Sequence, residues 1–112
     1  MSIYKEKQMI FYFLVGGLIT LLGVVFYLFP PKKINPYYGY RTKRSMRNQQ
    51  TWDAANKYST VLMILAGILT LISGAIAVLL GASVLIPHIM IFVFLGLLLV
   101  LTERYLKEQF GE

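Results

Sequence analysis

No cysteine occurs in the chain, and His88 is its one histidine. The first absence excludes a disulfide framework and any thiolate metal site; the second excludes a cluster of imidazole ligands. Neither a metal nor another cofactor is expected. Charge is scarce as well, at 14% of residues against about 25% in a typical soluble domain. Acids are scarcer than bases, five against eleven, which leaves a net charge of +6. What fills the chain instead is apolar: 57% of its 112 residues. That length allows one domain, residues 1–112, and a soluble domain so small cannot hide so much apolar surface. The composition is that of an integral membrane protein. The basic residues crowd beside the apolar runs, so the lipid bilayer and its anionic headgroups, not nucleic acid, are the expected partner.

Residues 9–29 (MIFYFLVGGLITLLGVVFYLF) carry no charge. At about 1.5 Å per residue such a helix spans the roughly 30 Å of a hydrocarbon core. Pro30 and Pro31 end it, and Lys32 and Lys33 mark the interface. The run is long for a signal peptide and lacks a small-x-small cleavage site before the prolines, so a retained span is expected. Residues 61–80 and 85–102 form two further spans, separated by Gly81, Ala82, Ser83 and Val84. Gly81 suits a helix C-terminus, Ser83 an N-cap, and Pro87 a first turn. The fold class expected is therefore all-α, with three transmembrane helices and a structured linker, residues 30–60, between the first two.

Sidedness follows from the cations. The linker holds Lys32, Lys33, Arg41, Lys43, Arg44, Arg47 and Lys57, and the tail holds Arg104 and Lys107; only Lys5 and Lys7 precede the first span. With three spans the linker and the tail share a side, so nine cations face two. The positive-inside bias places linker and C-terminus in the cytoplasm and the N-terminus outside.

The linker is patterned. Pro36 and Gly39 break helix, so residues 35–41 should form an irregular turn with Tyr37, Tyr38 and Tyr40 at headgroup depth. From Ser45, a plausible N-cap, the pattern turns helical. Asn48, Trp52 and Asn56 recur every four residues and so share a face. The stripe continues through Ser59, Met63, Gly67, Thr70, Gly74, Ala77 and Gly81. One helix from about residue 45 to 80 would carry a polar and aromatic face that becomes a small-residue groove within the bilayer. Gly16, Thr20 and Gly23 offer a matching strip on the first helix, and small residues let membrane helices approach closely. Packing within one chain is the favoured reading, with a homo-oligomer as the alternative.

Three motifs in the linker resemble the signature of the SdpI family of bacterial membrane immunity proteins. They are Asn35-Pro36-x-x-Gly39-Tyr40-Arg41-Thr42, Ser45-Met46-x-Asn48 and Thr51-Trp52-x-x-Ala55-Asn56. The resemblance implies a multi-pass membrane protein that protects the cell against a secreted, membrane-active toxin peptide, the sporulation-delaying toxin of the founding members. It also implies an alternative, a signalling adaptor that holds a cytoplasmic regulator through the basic linker, as larger members do. The motif positions it singles out are Gly39, Tyr40, Arg41, Thr42, Ser45, Asn48, Trp52, Ala55 and Asn56.

What those residues do is left open by the sequence. They can lock the linker onto the second helix, bind a ligand or partner, or, least in keeping with the residue types, serve an intramembrane enzyme. Arg41 stands out, because a guanidinium beside a bilayer grips phosphate or carboxylate through two contacts and stacks on aromatic rings. Asn48 and Asn56 bring donors and acceptors to one face. General acid–base catalysis needs a positioned proton carrier. Asp53 lies off the stripe and His88 at the opposite membrane end, so no catalytic residue is assigned. Glu103, at the end of the third span, is a candidate partner for Arg41 or Arg44, or for Lys107 four residues on.

Overall fold

The computed structural model describes residues 3–82 and 85–111. It has three helices, α1 (Ile3–Leu28), α2 (Gln49–Leu80) and α3 (Leu85–Phe110), and no strand among the described residues. All three are long and apolar enough to cross a membrane. Their outward residues show why they need lipid: Phe13, Leu18, Leu21, Leu79, Phe92 and Val100 are all exposed, a surface only hydrocarbon covers at no cost. The 32 residues of α2 amount to about 48 Å of helix, some 18 Å more than the apolar core needs. Its first turns therefore stand beyond the hydrocarbon, among the linker residues.

Each boundary has a local cause. Two prolines follow α1, and the Phe29 N–H closes its last turn on the Val25 carbonyl at 2.8 Å. Gly81 ends α2 in the left-handed region at φ 66°. The Ala82 N–H then reaches the Ala77 carbonyl at 2.9 Å, the closure of a Schellman motif. Pro87 is buried in the first turn of α3, where a missing N–H costs nothing. Ser83, the expected cap of α3, lies outside the described residues.

The start of α2 differs from expectation. Ser45 does not cap it; Asn48 does. The Asn48 side chain accepts from the Thr51 N–H at 2.9 Å, and the Thr51 hydroxyl accepts from the Asn48 N–H at 3.1 Å. This reciprocal box satisfies two backbone donors. Ser45, three residues earlier, is occupied by a turn of its own. Beyond Asn48 the helix runs unbroken to Leu80.

Along the α1–α2 seam, glycines let side chains and, at Gly67, the partner backbone come within contact distance. A Cβ built on Gly16 would lie 2.8 Å from Leu71 Cγ, one on Gly23 2.7 Å from Ile64 Cγ1, and one on Gly74 2.7 Å from Tyr12 Cβ. At Gly67 the neighbours are the Thr20 backbone, with its nitrogen at 2.6 Å, and the Thr20 hydroxyl. The Thr20 hydroxyl itself donates to the Gly16 carbonyl at 2.7 Å, which leaves the polar atom satisfied inside the seam. Of the residues named for this contact, Gly81 stands apart: it is exposed, with no atom within 4 Å of a would-be Cβ.

α3 docks on α2 differently. Its buried residues are Pro87, Thr102 and Leu106, near its two ends. Tyr105 stacks on Tyr58 of α2 with ring centres 4.3 Å apart. At the other end His88 is interleaved with α1, stacked on Phe11 at 5.2 Å and 3.2 Å from the Tyr12 hydroxyl.

Candidate functional site

The linker is fastened to the end of α2 by hydrogen bonds between side chains and backbone. After the prolines, Asn35 forms a local turn, its Oδ1 accepting from the Tyr37 and Tyr38 N–H groups at 2.9 and 2.8 Å. The chain then reverses at Gly39, at φ +105°. A Cβ there would meet Asn56 Oδ1 at 2.7 Å and Pro31 Cγ at 2.8 Å. Conformation and space both demand glycine. This reversal delivers the Tyr40 N–H to Asn56 Oδ1 at 2.7 Å, while Asn56 Nδ2 donates to the Trp52 carbonyl at 2.9 Å. Trp52, fully buried, donates its indole N–H to the Pro31 carbonyl at 2.6 Å. Trp52 and Asn56, one turn apart, thus hold the end of α1 and the Gly39 reversal against α2.

A second group of bonds closes the loop onto the cap of α2. The Thr42 N–H donates to Ser45 Oγ at 2.8 Å, and the Ser45 N–H to Thr42 Oγ1 at 3.1 Å. The Ser45 hydroxyl faces the Tyr40 carbonyl at 2.9 Å and the Thr42 carbonyl at 3.1 Å. Buried Thr51 has the Ser45 and Asn48 carbonyls at 3.0 and 2.9 Å. Among the described residues no buried side-chain nitrogen or oxygen lacks a partner, as a folded element outside secondary structure requires.

The third contact reaches α3. The Tyr40 hydroxyl donates to the Leu99 carbonyl at 3.3 Å. Burial pushes this phenol's pKa well above its ordinary value; nearby Glu103 adds to the shift, and Arg44 and the Thr42 hydrogen bond oppose it. Arg44 and Glu103 form an ion pair at 3.4 Å, both partly exposed. Arg41 is placed differently. It is exposed, and its guanidinium bonds the Pro36 carbonyl across the linker turn. The backbone direction set at Gly39 turns Tyr40 inward and Arg41 outward, so Arg44 is the cation that meets Glu103.

Of the linker residues named from sequence, Gly39, Tyr40, Trp52 and Asn56 come together in one cluster. Thr42, Ser45 and Asn48 share the adjoining turn. Asn48 faces solvent and spends its side chain on the cap. Pro31, whose carbonyl anchors Trp52, was not among them, nor was the Leu99 carbonyl that receives Tyr40. Backbone acceptors leave no mark in a residue pattern. Leu71, which fills the space over Gly16, carried no signal beyond its apolar class.

Two hollows flank the cluster. One, of about 530 Å³, lies where α1 ends beside α2; Phe26, Tyr27, Pro30 and Pro31 line one side, and Gln49, Asp53, Asn56 and Lys57 the other. The second, of about 410 Å³, lies where the linker crosses α3, between Lys43, Arg44, Arg47 and Glu103. Among the described residues no group of three His, Cys, Asp or Glu side chains is placed to hold a metal ion. Apolar walls stand beside amides and charges in the first hollow, and charged side chains line the second.

Residues 32–102 match the model of the SdpI/YfhL protein family. The chain is also 43% identical over 93 residues to the uncharacterized protein YfhL of Bacillus subtilis (strain 168), an alignment covering 82% of each chain. No solved structure matches.

Proposed function

Because the chain belongs to the SdpI/YfhL protein family, we propose that it protects the membrane holding it against a secreted, membrane-active toxin peptide. The observation that carries this reading is the cleft of about 530 Å³ at the end of α1, whose Asn56 wall is built from the family-like motif. Such a cleft, apolar on one side and polar on the other, suits a peptide that is itself amphipathic. Its rim residues Lys32, Asp53 and Lys57 offer both signs of charge to the peptide's polar groups. We assign the linker end to the cytoplasmic side, because nine cations lie there against two at the other end.

The test is growth of sensitive cells challenged with the sporulation-delaying toxin peptide. Cells expressing the chain should grow where cells without it stop, and toxin recovered from them should be unchanged in mass. Gly39→Val, which cannot adopt the φ of the reversal, should lose protection at equal abundance in the membrane. Equal growth with and without the protein would overturn the proposal. Protection that disappears when one soluble cytoplasmic protein is deleted would favour a signalling adaptor instead.

A further inference from the structure

The hollow over α3 lies apart from the cleft just described and has a different character. Three cations, Lys43, Arg44 and Arg47, face one carboxylate, Glu103. Glu103 pairs with Arg44. Arg47 bonds the Gly111 carbonyl at 3.0 Å, an uncharged acceptor. Lys43 and Arg47 make no ion pair among the described residues. Among the described residues that line it, the hollow therefore carries a surplus of two positive charges.

Its depth is set by α3. Glu103 immediately follows the uncharged run of residues 85–102, so the hollow sits where hydrocarbon gives way to headgroups. Leu99, Gly96 and Phe92 lie four, seven and eleven residues before Glu103, on one face of the helix. That face is uncovered: Leu99 is 48% and Phe92 75% exposed, and nothing lies within 4 Å of a Cβ built on Gly96. Eleven residues of helix rise about 16 Å, close to one leaflet of a hydrocarbon core of about 30 Å.

We propose that this hollow binds the headgroup of an anionic glycerophospholipid of the phosphatidylglycerol type, with the acyl chains lying along the Leu99–Phe92 face. The surplus charge matches a phosphodiester, and basic pockets beside membrane helices at this depth are suited to anionic headgroups. A soluble anion would satisfy the cations but leave the apolar face below them unused. A lipid satisfies both. Lipid bound here bridges the linker to α3, the helix with the shallower dock. The proposal does not depend on the toxin reading.

The experiment is native mass spectrometry of the intact protein in detergent, titrated with phosphatidylglycerol or phosphatidylcholine. The wild type should retain phosphatidylglycerol at detergent concentrations that strip phosphatidylcholine. Removing two cations with Lys43→Gln and Arg47→Gln, which leaves the Arg44–Glu103 pair in place, should weaken phosphatidylglycerol binding roughly twenty-five-fold, about fivefold per cation. Lys5→Gln with Lys7→Gln, an equal charge change at the other membrane end, should leave it unchanged. Equal retention of the two lipids by the wild type would overturn the proposal without recourse to any variant. So would an equal loss in both double variants, or displacement by inorganic phosphate at matching concentration, which would mark an anion site and not a lipid site.

Discussion

The α1–α2 seam and the docking of α3 hold apolar helices together by different means. Along the seam, Gly16, Gly23, Gly67 and Gly74 bring the partner helix so close that a single added carbon has no place. α3 buries only residues near its ends, and Gly96 in its middle faces open space. Close backbone approach distributes dispersion contacts over several turns, which is the available driving force where lipid replaces water. An end-held helix depends instead on a few directional contacts: Tyr105 on Tyr58, Tyr40 on the Leu99 carbonyl, and Arg44 on Glu103. α1 and α2 form the close pair, and the linker adds to the contacts that Tyr58 of α2 and Phe11 and Tyr12 of α1 make with α3.

The contrast can be broken most severely at Gly67. Gly67→Leu should destabilise the protein by about 3 kcal/mol or more, the upper end of overpacking costs, because the obstacle is the Thr20 backbone and not a side chain that can turn aside. Gly96→Leu, the same change on the open face, should stay within about 0.5 kcal/mol of wild type. Thermal unfolding of both variants in one detergent makes the comparison. Similar losses would mean that the seam is not the tighter contact.

Next in size is the ion pair. Arg44→Gln should loosen α3 from the linker by about 0.2–1 kcal/mol, the range measured for solvent-accessible pairs, since both side chains are partly exposed. The loss should shrink as salt is raised. A cross-link or spin-label distance between the linker and the end of α3 reads it.

The Tyr40 phenol gives a pH dependence of known sign. Its pKa is raised in the fold, so the protonated form is favoured there. The contribution is complete below the unfolded value near 10.0 and is lost as pH rises above it. Stability should therefore fall at strongly alkaline pH, and Tyr40→Phe should be slightly less stable at neutral pH with a flatter alkaline limb. Denaturant midpoints at pH 8 and above 10 measure both.

The smallest effect is expected at Arg41. Its guanidinium lies in solvent on the Pro36 carbonyl, and lysine donates to a carbonyl as well, so Arg41→Lys should be nearly silent in stability. A loss of protection at normal abundance and stability would instead assign Arg41 to ligand contact.

How much of this was legible in the sequence depends on what kind of contact carried it. The three helices were, because uncharged runs of about twenty residues have few other outcomes in water or lipid. The end of α2 at Gly81 was legible too, since a left-handed terminus selects glycine. Its start was not. Ser45 and Asn48 are both good caps, and the choice rested on Thr51, which completes the box with Asn48 and is not the usual Glu or Gln. The pairing of Trp52 with Pro31 joins a side chain to a backbone carbonyl 21 residues away, and no residue pattern encodes such a partner. Arg41 and Arg44 are chemically identical in sequence; the direction of the Gly39 reversal separates them.

The linker is a folded part of the protein, held by the Asn56 side chain at the Gly39 reversal. Amide hydrogen exchange at Tyr40 is the sharpest test, because that N–H donates to Asn56 Oδ1 at 2.7 Å and lies outside every helix. In the detergent-solubilised wild type the Tyr40 amide should exchange slowly, at rates approaching those of helical amides near Trp52. Asn56→Leu should accelerate it at least tenfold while leaving the middle of α2 protected. Fast exchange at Tyr40 in the wild type, equal to that of exposed Tyr37, would contradict the account and return the linker to an unstructured connector.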